Sequence, residues 1–253
     1  MAHERLKVYA KAVDFVRGLA PQVDEWPPGC SVRDQIDRSM ESVITNLVKA
    51  AWLQPAPEAI YRLECSLGSV LECAACLDIA GVRRMLDEAA TVGGKNALLE
   101  IARMQVGLRK NWDTVVREES ATYGGQAEQF PHESLRVYQR GLELYRLLFG
   151  DGPAAREHGG RHARRLDEAA VSLLLNIAEG NGRFAVLDHR KFIVSAQEAA
   201  TRLAAYLDLD RTLAADQVAG AHGLLHEVCA MLGGLRGVLS LESKTCEGTA
   251  NES

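Results

Sequence analysis

The chain has 253 residues, 47% hydrophobic and 25% charged, with a formal net charge of −5. This is the composition of a soluble globular protein of one or two domains, and the acidic balance argues against a uniformly basic nucleic-acid binder. A local basic face stays compatible with it, because counterion release depends on the contacting patch and not on the total. There is no uninterrupted apolar stretch of 18 residues, so no membrane partner is expected. The charged start "MAHERLKVYAKAVDF" lacks the apolar run of a signal peptide, so a cytoplasmic location is expected.

Helical periodicity dominates, with no convincing strand alternation. The first helix carries Leu6, Val8, Ala12, Phe15, Val16 and Leu19 on a broad apolar face, and Pro21 with "WPPG" (26–29) is expected to end it. A second helix is predicted from about Ser31 to Leu53. A third starts near Pro57, a suitable first-turn proline, and runs to about Ala80. Gly81 and "TVGGKN" read as punctuation, and a fourth helix follows from about Asn96 to Val116. The polar, glycine-bearing stretch "EESATYGGQAEQFPHES" reads as a linker. The pattern then restarts, with helices over about 134–150, 158–179, 186–209 and 214–241 and a frayed tail.

The restart is an internal repeat. "LKVY" (Leu6–Tyr9) returns as "LRVY" (Leu135–Tyr138), offset by 129. Ser42 and Asn46 return as Ser172 and Asn176, and Leu77 as Leu207, offset by 130. "MQVGL" (Met104–Leu108) returns as "MLGGL" (Met231–Leu235), offset by 127. One registration holds over the whole length. The predicted fold is therefore all-α: two tandem up-down antiparallel four-helix bundles at 1–118 and 133–242, a linker at 119–132 and a disordered tail at 243–253. Each copy is long enough to bury its own core. The cysteines do not alter this. Cys73-x-x-Cys76 has no matching second pair and reads as core packing.

These anchors resemble the four-helix-bundle family encoded in intervening sequences of bacterial 23S rRNA genes, which includes the accessory variability determinant of diversity-generating retroelements. Copy one shows "LKVY", "DQIDRSMESVITNL" (Asp34–Leu47), "GSVLE" (Gly68–Glu72) and "MQVGL". Copy two shows "LRVY", "VSLLLNIAEGNGRF", "KFIVSAQEAATRL" (Lys191–Leu203) and "MLGGL". The departures are complementary. Copy one replaces the family's A-E-G with Val48-Lys49-Ala50. Copy two has Glu198, Ala199 and Arg202 where the family has Gly, Ser and Glu. The resemblance implies left-handed up-down bundles, no catalysis and no cofactor. It also implies association with structured RNA or DNA and with a reverse transcriptase. Self-association of the two bundles as a pseudo-twofold pair is expected separately, because an ancestral self-association surface would favour it in fused copies.

Within the motifs, Ser172, Asn176 and Gly180 fall on one helical face at i, i+4 and i+8, as do Ser42 and Asn46 in copy one. The small residues predict close approach of a neighbouring helix. Each Asn is predicted to tie its helix to a neighbour's backbone and fix register, since a buried amide needs partners. Gly180 and Gly182 suit a helix C-terminus that needs a left-handed residue. The candidate phosphate contacts are Arg156, Arg161, Arg164 and Arg165 at the start of one helix, and Arg183, Arg190 and Lys191 near its other end. Arginine forks suit phosphate, and a solvated, salt-bridged helix end is the alternative. A metal centre has only weak candidates. His222 and His226 lie at i, i+4, with His162 or His189 as a third ligand, but the Glu-x-x-His pattern of carboxylate-bridged bundles is missing. Asp34 with Asp37, and Asp208 with Asp210, read as solvated faces.

Overall fold

The computed structural model describes residues 3–53, 57–112, 130–150, 160–183, 185–210 and 212–250, with the side chains of all but 57, 160–162 and 240–250. Among them are eight α-helices and no strand. They are α1 (Lys7–Asp24), α2 (Ser31–Trp52), α3 (Pro57–Val82), α4 (Glu88–Trp112), α5 (Arg136–Phe149), α6 (Gly160–Asn181), α7 (Val186–Leu209) and α8 (Ala215–Ala250). The chain divides into two compact units, Met1–Pro131 and His132–Ser253. Residues 119–129 of the predicted linker lie outside the described residues, but Phe130 and His132 at its end are buried.

In the first unit α1 packs on α2 and α4, α2 on α3, and α3 on α4, closing a four-helix ring. The second unit repeats this with α5 to α8. The first core is made of apolar residues at helical spacing, such as Ile36, Met40, Val43 and Leu47 on α2 and Leu63, Leu67, Val70 and Leu71 on α3. Cys73 and Cys76 are fully buried in it, and burial pushes both thiols well above their ordinary range. Polar ties set its register. Gln105 Nε2 donates to Ser66 Oγ (2.7 Å), which donates to the Val43 carbonyl (3.0 Å), joining α4, α3 and α2. Arg109 Nε pairs with Glu64 (2.8 Å), and Lys95 with Asp78 (2.6 Å). In the second unit Tyr145 Oη donates to the buried carboxylate of Asp167 (2.9 Å), holding α5 to α6.

Both units begin alike, over more residues than the "LKVY" repeat. A short 3-10 turn at His3–Arg5 recurs at Pro131–Ser134. The Leu6 amide donates to the His3 carbonyl, and that of Leu135 to His132, both at 3.0 Å. His3 then stands edge-on to Tyr9 and His132 to Tyr138, each with ring centroids 4.7 Å apart. The shared pattern is H-E-x-L-x-V-Y.

Three boundaries differ from the sequence expectation. Pro21 lies inside α1 and does not end it. A helical proline costs about 3 kcal/mol through the lost hydrogen bond and ring clash, but continuing the helix buries Val23 and brings Trp26 into the core. Gly93 and Gly94 of "TVGGKN" lie inside α4, which starts earlier, at Glu88. Asp87 caps that start, accepting from the Ala90 amide (2.6 Å). Third, α8 continues through the predicted tail to Ala250. No proline interrupts this stretch, and extending an existing helix costs far less than starting one.

Two helices are long and apolar enough, by length and composition, to cross a membrane: Glu58–Val82 and Ala215–Leu239. The most apolar 18-residue window of the first is 72% buried, as in a core helix, whereas that of the second is 22% buried. The outer side of α8 is small and mostly uncharged, with Ala219, Gly223, Ala230, Gly234 and Gly237 all exposed except for nearby charges such as Glu227 and Arg236.

Candidate functional site

The repeated Ser–Asn motif is a set of hydrogen bonds on the half-buried sides of α2 and α6. Asn176 Nδ2 donates to the Ser172 carbonyl (2.7 Å) and lies 3.2 Å from Ser172 Oγ. Asn46 Nδ2 does the same to Ser42, at 3.0 and 3.1 Å. The amides therefore grip their own helix one turn back and do not reach a neighbour's backbone. The link across helices is made by the serine. Ser42 Oγ meets Ser69 Oγ at 2.7 Å, and Ser69 Oγ donates to the Cys65 carbonyl (3.2 Å). Asn46, Ser42, Ser69 and the Cys65 carbonyl thus form a continuous hydrogen-bonded chain from α2 into α3. Copy two has the fully buried Ala199 at the position of Ser69, so this cross-helix step is missing there.

Gly180 is helical and is not the left-handed cap that the sequence predicts; Gly29 is the positive-φ glycine among the described residues. Its role is contact. A Cβ there would stand 2.8 Å from Phe192 Cβ and 3.7 Å from the His189 carbonyl, so the glycine lets α7 lie against α6. The ending itself is a turn in which the Gly182 amide donates to the Glu179 carbonyl and the Arg183 amide to that of Gly180. Phe184 lies outside the described residues.

Arg183 folds back on this ending. Its guanidinium pairs with Glu179 and stacks over the Phe192 ring, 4.8 Å from the centroid. Both side chains are largely buried, 11% and 19% exposed, and burial pushes the Glu179 carboxyl up against the opposing pull of Arg183. Arg183 is therefore a packing residue, and not the phosphate contact that its sequence position suggested. The other cations differ. Arg164 is 71% exposed and pairs with Glu168 (3.0 Å), while Arg165 is exposed with its Nη1 3.4 Å from Tyr206 Oη. Arg190 is exposed, and Lys191 is 76% exposed beside Asp188 (2.8 Å). Arg156 lies outside the described residues, as does the side chain of Arg161.

The metal candidates do not converge. His222 Nε2 lies 3.0 Å from Asp208, and His226 is exposed one turn on. Among the described residues no group of three His, Cys, Asp or Glu side chains is placed to hold a metal ion. Asp210 is no solvated carboxylate: it is 9% exposed, and its Oδ1 accepts from the Thr212 amide (2.7 Å), the Thr212 hydroxyl (2.6 Å) and the Leu213 amide (3.2 Å), closing the α7–α8 turn.

One cluster falls outside the sequence predictions. At the α2–α3 end of the first bundle Trp52 is 69% exposed, Leu53 40% and Tyr61 50%, and the Arg62 guanidinium lies 5.7 Å from the Tyr61 ring centroid. The signal was available in the sequence as the replacement of A-E-G-N-G-R by Val48-Lys49-Ala50-Ala51-Trp52-Leu53, which swaps the glycine and the ion pair of copy two for a lysine and an indole.

The family model for the 23S rRNA-intervening sequence protein matches residues 4–107, the first bundle almost from end to end. No curated protein and no solved structure matches the chain.

Proposed function

With the first bundle a member of the 23S rRNA-intervening sequence protein family, we propose that the chain is a non-enzymatic binding or assembly factor for structured nucleic acid, acting with a protein partner such as a reverse transcriptase. The observation that carries this reading is the exposure of Arg164 and Arg165 in the first turns of α6, where their side chains stand clear of the core. A helix N-terminus adds favourable potential for phosphate. Arg190 and Lys191, at the start of α7, offer a second set of exposed cations. Filter binding with a structured RNA at low and moderate salt tests the reading. Salt-sensitive binding that weakens when Arg164 and Arg165 are changed to Glu is expected. Absence of salt-sensitive binding overturns it.

A second reading, an adaptor that binds proteins alone, is favoured by the small outer face of α8, of which so little is buried. Light scattering and co-purification separate the two: protein partners recovered without nucleic acid support the adaptor.

A further inference from the structure

We infer that the α2–α3 end of the first bundle is a stacking platform for unpaired nucleotides, with Trp52 and Tyr61 as the base-stacking faces and Lys49 and Arg62 as the phosphate contacts. The inference rests on the nucleic-acid reading above and gives it a place and a substrate class: single strands or loops in preference to duplex.

The Ser42–Ser69 bond fixes the register of the hairpin. Lys49 lies seven residues beyond Ser42, and Arg62 seven before Ser69. At 1.5 Å per residue both stand about 10 Å from that bond, level with each other. Trp52 and Tyr61 stand at about 15 and 12 Å, on neighbouring helices whose axes are typically about 8–10 Å apart. Two exposed rings and two cations therefore share one end of one hairpin. Bases stack on such rings whatever their identity, while the cations follow the backbone.

Charge supports a polyanion as the occupant. The same end holds the end of α4, because Arg109 of α4 pairs with Glu64 of α3, and the start of α1, because Lys11 of α1 pairs with Glu100 on the antiparallel α4. There Arg5, Lys7 and Lys110 are exposed, with Glu4 and Glu58 as the opposing carboxylates. The far end of the bundle has the opposite balance: Asp24, Asp34, Asp37, Asp87 and Glu88 stand among Arg33, Arg38 and Arg84. In a chain of net charge −5, the positive excess of this bundle falls where its aromatics are exposed. Copy two closes the same end with Gly180 and the Glu179–Arg183–Phe192 packing, so the platform is a property of copy one.

The test is a fluorescence titration of the full chain with an oligouridylate of about 12 nucleotides, within the usual site size of single-strand binders, and with a blunt RNA duplex of the same length. The single strand is expected to quench tryptophan emission and to bind more tightly than the duplex. Changing Trp52 and Tyr61 together to Ala is expected to weaken single-strand binding about tenfold or more and leave duplex binding unchanged. Trp52→Phe keeps a stacking face and is expected to lose the quench but retain most of the affinity. Single-strand binding that is unchanged in the double alanine variant overturns the platform and leaves the proposed function standing. Failure of both RNAs to bind overturns both. A protein partner that is lost with the double variant while RNA binding stays intact assigns the surface to that protein and also overturns the platform.

Discussion

Gly180→Ala is expected to loosen the second bundle, and its magnitude follows from what the new methyl would meet. The added Cβ would lie 2.8 Å from Phe192 Cβ. That atom is fixed to the α7 backbone and cannot rotate away, so α6 and α7 must separate by about 0.7 Å or more to reach an ordinary contact. Overpacking of this kind costs about 1–3 kcal/mol, against about 1 kcal/mol gained from replacing a helical glycine by alanine. The net loss is about 0–2 kcal/mol. Gly94→Ala also makes a 2.8 Å contact, but with Leu77 Cδ1, the far end of a side chain that can rotate, so it is expected to be nearly neutral. At Gly107 nothing lies within 4 Å of the new methyl, and alanine there is expected to stabilise by about 0.5–1 kcal/mol. Urea unfolding resolves the series, because Trp26, Trp52 and Trp112 all belong to the first unit. Tryptophan fluorescence follows that unit alone, and far-UV circular dichroism follows both. Gly180→Ala should lower the dichroism midpoint and leave the fluorescence midpoint unmoved. If it stabilises as much as Gly107→Ala, the close approach of α6 and α7 does not govern the position.

Ser69→Ala removes the hydrogen-bonded link from Asn46 and Ser42 into α3 and is expected to cost the first bundle about 0.5–1.5 kcal/mol, read by fluorescence-monitored unfolding. Arg84 ends α3 at φ 55°, with the Met85 amide donating to the Ala80 carbonyl (2.9 Å) and the Arg84 amide to that of Gly81 (3.1 Å). This is the helix ending that favours glycine, so Arg84→Gly should raise the first bundle's stability by about 1 kcal/mol in the same assay. Glu179 binds its proton more tightly in the folded state, since burial raises its carboxyl above the ordinary 4.5. Stability of the second bundle should therefore fall as pH rises from the unfolded value through the raised one. The dichroism midpoint should show this slope in the wild-type chain and lose it in Glu179→Gln.

Local signals located most helices. Ser31–Trp52 and Val186–Leu209 match their predicted spans closely, because an apolar periodicity is flanked by proline, glycine or turn residues at both ends. Where tertiary contact overrode a local breaker, the sequence misled. Pro21 and Gly93–Gly94 are poor helix residues, but the turns around them bury Val23, Trp26, Leu98 and Leu99. The site divides in the same way. Spacing placed Ser42 with Asn46, and Ser172 with Asn176, on one face, but spacing does not tell which helix an amide will bond. Arg183 looked like one more surface cation, although its separation of four residues from Glu179 allowed the pair that buries it. The exposure of Trp52 and Tyr61 depends on which side of the hairpin faces the core, and that is set by the whole bundle.

The division of the chain at Pro131 and His132 also orders events in time. Two copies that open with the same H-E-x-L-x-V-Y turn and present similar helix faces invite exchange of a helix between them, a common failure of repeated domains. Synthesis separates the partners. At about 5–20 residues per second, the roughly 120 residues after the boundary take about 6–24 s to emerge, whereas helical bundles close in microseconds to milliseconds. The first ring is complete once α4 leaves the ribosome, so α1 has found its own α4 well before α8 exists. Chemical denaturation removes that head start. Refolding from urea should therefore give more helix-swapped species than synthesis does, in a proportion that does not depend on protein concentration.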